Sequence, residues 1–150
     1  MEAKDFLYID SEAKFMAELL AMLNINDNDN IFKMIKSRNK YCSLDFILLN
    51  EYNLQNLFIE HKKKNIDASN YDTLFIGYDK LIKIDTFYHS SNTLLVWECK
   101  NATYFTMFDK SFLKNNTKYV NGSKCFEIDK SICGIGMEKL NLLILDKLVM

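Results

Sequence analysis

At 150 residues, with 49% hydrophobic and 26% charged side chains, the chain has the size and composition of one globular domain, residues 1–150. The formal net charge of −1 argues against a protein held to nucleic acid by a continuous basic stripe; the dense basic run is Lys62-Lys63-Lys64. No apolar segment approaches the ~20 residues that cross a bilayer, and "MEAKDFLYID" lacks the basic start and apolar run of a secretory signal, so the expected location is the cytoplasm.

Residues 10–24 read as a helix, capped by Asp10 or Ser11, with Phe15, Leu19, Met22 and Leu23 at helical spacing. After the polar loop "NINDNDN" (24–30), "IFKMIKSR" (31–38) reads as a short amphipathic helix. In residues 43–64, Leu44, Ile47, Leu48, Leu54, Leu57 and Phe58 fit a helical face, although "FILL" also suits a strand. From Tyr71 the pattern changes: "DTLFIGY" (72–78), "KLIKIDTFYH" (80–89) and "TLLVWECK" (93–100) are β-branched and aromatic runs divided by short polar turns, hence three successive strands. Residues 103–115 suit a strand or a short helix, and Asn121-Gly122 marks a hairpin within 118–128. The chain ends in a helix over 136–150. The sum is an α+β domain: a mainly antiparallel central sheet over residues 71–130, N-terminal helices and a C-terminal helix.

Cys42, Cys99, Cys125 and Cys133 show no CxxC spacing, and His61 and His89 are too scattered to complete a zinc site with them. They read as reduced, mostly buried thiols. Trp97 and Leu95 belong to the core by their place in an apolar strand.

The chemistry-bearing stretch is "LLVWECKN" (94–101), an apolar strand that ends in an acid and a base. Glu98 and Lys100 share a strand face, and Asp85 on the preceding strand can meet them through the turn at 89–92. Two carboxylates open to water bind a hard divalent cation, Mg²⁺ or Mn²⁺; the Cys99 carbonyl adds an oxygen, and Lys100 serves the water or the phosphate. Equally, Glu98 and Lys100 suit the solvated face of a half-buried strand, joined by cross-strand ion pairs.

Asp85, twelve residues, then Glu98-Cys99-Lys100 resembles the motif of the PD-(D/E)xK nuclease superfamily. The resemblance implies a core order of helix, three strands, helix and strand, and a metal-dependent phosphodiester hydrolase acting on nucleic acid. It also implies Lys100, Glu98 and Asp85 as catalytic residues. A further acid would come from the first helix, from Glu12 or Glu18, so that Asp85, Glu98, Cys99 and Glu18 would surround the ion.

A second reading is a small cytosolic binding protein without cofactor, such as an immunity protein that blocks a cognate toxin. "TLFIGYDKLIKID" followed by "DKSFL" is loosely similar to SUKH-type immunity domains, without their usual Leu-Pro motif. Asp27, Asp29, Asp67, Asp72 and Asp79 would then face a basic partner.

Overall fold

The structure is a computed structural model that describes residues 3–26, 30–36, 46–88 and 92–149. The first helix, α1 (Ala3–Asn26), covers the expected 10–24 and extends it at both ends. Three strands follow: β1 (Phe32–Lys36), β2 (Phe46–Asn50) and β3 (Asn56–Lys63). These correct the two helices expected over 31–38 and 43–64. In β2 burial alternates strictly, Phe46, Leu48 and Asn50 being inside. A helical reading took the same leucines for one stripe because period 2 and period 3.6 coincide at i and i+4. Leu54 at φ 62° turns the chain between β2 and β3, a position where a helix cannot continue.

Beyond β3, β4 (Thr73–Gly77) leads directly into α2 (Tyr78–Tyr88). The expected strand over 80–89 is therefore a helix. Its buried residues, Leu81 and Ile84, are three apart, so one helical stripe carries the packing while Lys83 is exposed. Then come β5 (Thr93–Glu98), β6 (Thr103–Met107), β7 (Thr117–Val120), β8 (Ser123–Asp129), β9 (Gly134–Ile135) and α3 (Met137–Val149). The hairpin expected at Asn121-Gly122 joins β7 to β8, with both residues at positive φ, 50° and 82°.

Among the described residues the strands make a six-stranded sheet, in order β1-β2-β3-β5-β6-β9, and a three-stranded sheet, β4-β8-β7. Pairing is antiparallel except between β3 and β5, where Phe58 to Lys63 run parallel to Thr93 to Glu98. A parallel pair needs a crossover, and β4 and α2 supply it. The architecture is the expected α+β class with mainly antiparallel sheets, but the large sheet begins at residue 32 rather than 71.

The large sheet has a core on each face. On one, Ile59, Leu94, Val96 and Phe105 pack against Phe15, Leu19 and Leu23 of α1 and Leu140, Ile144 and Leu148 of α3. On the other, Leu95, Trp97 and Tyr104 meet Leu81 and Ile84 of α2 and Leu74, Ile76, Phe126 and Ile128 of the small sheet. Leu95 and Trp97 are both buried, as their strand implied. Buried Asn50 donates to the carbonyl of Leu148, as does Asn53, so two amides close the last turn of α3.

Candidate functional site

Alternation along β3 decides what faces what. Leu57, Ile59 and His61 turn toward α1. His61 stacks on Phe15, ring centroids 4.3 Å apart at 15°, and its Nε2 lies 3.1 Å from Glu98 Oε1. Glu98 thus lies on the α1 face, at the end of β5. Asp85 is on α2, across the sheet, on the helix that packs against Leu95 and Trp97.

The structure therefore does not bring Asp85 and Glu98 together. The expected strand at 80–89 is a helix, so the shared strand face on which that pairing rested does not exist. Lys100 is exposed, its backbone N–H donating to the Ile66 carbonyl. Cys99 is half-buried after β5, and burial first of all pushes its thiol pKa up. Glu18 is exposed on α1, and the side chain of Glu12 lies outside the described residues.

The opposite face of β3 carries a denser arrangement. Glu60 is 1% exposed. Lys62, two residues on and on the same face, places its ammonium 3.2 Å from Glu60 Oε1, and Lys80 from the first turn of α2 places another at 3.3 Å. A carboxylate taken out of water costs several kcal/mol unless it is paired. Two ammonium groups, each about one-third exposed or less, offset that cost.

Glu60-His61-Lys62 is a second Glu-x-Lys triplet at the end of an apolar run, "NLFIEHK". On the helical stripe that residues 43–64 also fit, Glu60 and Lys62 diverge, so the triplet carries no signal there. Once the segment is a strand, the two share a face. With β4 of the small sheet set aside, the order α1, β1, β2, β3, α2, β5 follows the helix, three strands, helix, strand sequence with this triplet on the third strand. Upstream, Asp45 immediately precedes β2 in the sequence, fifteen residues before Glu60. It lies outside the described residues, as do Cys42 and His89.

No family model and no curated protein matches the sequence. By structure, the chain is similar to Hjc of Archaeoglobus fulgidus, a Holliday junction resolvase from an archaeal hyperthermophile, with TM-score 0.53 and 17% identity over 87% of this chain and 96% of that one. The likeness is one of fold. The triplet that carries the motif resemblance, 98–100, sits at the end of β5 rather than on the third strand.

The motif resemblance of Asp85 and Glu98-Cys99-Lys100 implies a divalent ion. Glu60 offers the hard oxygen that Mg²⁺ or Mn²⁺ takes, but among the described residues no group of three or more His, Cys, Asp or Glu converges to hold one. Glu60 alone would be one ligand of such an ion. Among the described residues no helix is long and apolar enough to cross a membrane.

Proposed function

We propose that the protein is a metal-dependent nuclease, a phosphodiester hydrolase in which Glu60 and Lys62 on β3 are the working pair. Lys80 positions Glu60, and Asp45 is the second acid that the motif asks for. The observation that carries the reading is the buried Glu60 carboxylate with the Lys62 and Lys80 ammonium groups at 3.2 and 3.3 Å. Core burial of an acid against two bases contributes little net stability, so a chemical role is the better account of it. A divalent ion, when bound, would polarise the phosphate and lower the pKa of an attacking water.

The chain's own contribution is charge placement. Lys62 is a compact cation with rotatable donors, tethered beside the acid. A phosphodiester gains negative charge on its non-bridging oxygens as the water attacks, and an ammonium already fixed in place stabilises that charge without reorganising. Lys80 approaches Glu60 from a different element, α2, and fixes the carboxylate's orientation.

The immunity-protein alternative has less support. Asp67, one of the acids it relies on, accepts hydrogen bonds from Ser69 N and Oγ at 2.9 and 2.6 Å and so serves its own turn. Asp27 and Asp29 lie outside the described residues.

The test is cleavage of labelled DNA and RNA with Mg²⁺, with Mn²⁺ and with EDTA. Activity is expected with the metals and lost in EDTA. Lys62→Ala and Glu60→Gln should each reduce turnover about 10²–10³-fold or more, the scale of removing a preorganised transition-state donor. Asp45→Asn should do the same. Asp85→Asn, Glu98→Gln and Lys100→Ala decide against the β5 set: near wild-type rates are expected, whereas loss in Glu98→Gln with activity kept in Glu60→Gln would move the site to β5.

A further inference from the structure

Beside Lys62 a cleft of about 540 Å³ runs between the ends of β3 and β5 and the β7–β8 turn. Lys62, Lys64, Tyr71, Phe75 and Trp97 line it, with Asn121 at the hairpin tip. No acidic side chain is among the described residues that line it. The wall is fixed, since Trp97 Nε1 donates to the Phe75 carbonyl at 2.9 Å. Tyr71, by contrast, is 51% exposed. A further cation, Lys118, holds its ammonium 5.8 Å from the Phe75 ring centroid.

We propose that this cleft takes a single nucleic-acid strand next to the bond being cut, with Lys64 and Lys118 on its phosphates and a base stacked on Tyr71. The proposal rests on the nuclease reading for the position of the cut, but not for the binding itself. Three observations point to this ligand class. Exposed Lys64, in a lining that has no acid, favours a polyanion. An exposed aromatic ring in the same lining is what single-strand binders use, since every base has a face to stack. The volume lies within the ~300–1,000 Å³ of small-ligand pockets, which admits a few nucleotides and not the side of a duplex, whose base faces are already stacked on one another. Lys62 belongs to both the cleft and the Glu60 pair, so a strand lying in the cleft passes the proposed working groups.

The experiment is fluorescence anisotropy of the full chain in EDTA with a labelled single-stranded oligonucleotide and with a duplex of equal length, over a salt series. Tighter binding of the single strand is expected. Tyr71→Ala should weaken it roughly tenfold, and Tyr71→Phe should not. Lys64→Ala and Lys118→Ala should each lower the magnitude of the salt slope by about 0.7, the single-strand value per phosphate contact. All three residues are exposed, and unchanged thermal melts would show that the variants fold. Equal binding of duplex and single strand, or single-strand binding indifferent to Tyr71→Ala, overturns the cleft whether or not the protein cleaves. Tyr71-dependent single-strand binding by a protein with no cleavage under any metal leaves the cleft standing and removes the nuclease.

Discussion

Glu60 is the side chain whose surroundings most constrain the chemistry. It is buried, ionic and tied to two lysines that approach from different elements. Lys80→Met should lower stability by about 1–2 kcal/mol in a urea titration, a buried-pair cost reduced because the lysine is itself partly exposed. Cleavage in that variant should fall less than in Lys62→Ala, since Lys80 positions the acid and Lys62 faces the cleft. At Cys133, burial raises the thiol pKa to about 11, with Asp129 nearby pushing the same way. Since the thiolate is the nucleophile, Cys133 should resist iodoacetamide at pH 8 in the folded protein and react on unfolding, which mass spectrometry of the labelled chain reads directly. The residue types of the proposed site are legible in the sequence, but its place is not. Two Glu-x-Lys triplets end apolar runs, at 60–62 and 98–100, and nothing in either triplet says which strand is third. That depends on whether 43–64 is helix or hairpin, which packing decides.

At the scale of elements, the legible ones had a local signature. The Asn121-Gly122 turn, the apolar β5 and the two terminal helices carry theirs in adjacent residues. β1, β2, β3 and α2 do not: their apolar residues satisfy either period over so short a span, and contact with the rest of the sheet selects one. One device repeats. Asp67, Asp109 and Asp129 each accept from the backbone N–H of the serine two residues on, at 2.9, 2.8 and 2.9 Å, and so start three short 3₁₀ turns. For Asp67 the Ser69 hydroxyl and backbone N–H lower the carboxyl pKa below 3.8; for Asp109 and Asp129 the backbone N–H of the capped serine does so first. A pKa depressed on folding contributes stability above the unfolded value and loses it as pH falls through the folded value. Stability should therefore drop below about pH 4, and a triple Asp→Asn variant, still able to cap, should show a shallower drop in an acid titration followed by circular dichroism. Gly134 pairs with Phe105 across the β6–β9 edge, and a Cβ there would run into the Phe105 ring. Gly134→Ala should cost about 1–3 kcal/mol, read from its thermal melt.

For the molecule as a whole, the large sheet is a partition with α1 and α3 on one side and α2 and the small sheet on the other. Its central pairing, β3 with β5, is parallel and joins segments separated by the whole of β4 and α2. Local hairpins such as β1–β2 and β7–β8 can close early, but a contact across so long a loop is slow to form. β3 gains its second neighbour only when β5 docks, and Lys80 is set against Glu60 by the same crossover. The proposed cutting site thus assembles only after residues 93–98 have emerged and docked. A nascent chain that has not yet delivered residues 93–98 carries Glu60, Lys62 and Lys80 but lacks the parallel pairing that holds β3 in the sheet, so on the nuclease reading the coding order delays activity until β5 has emerged.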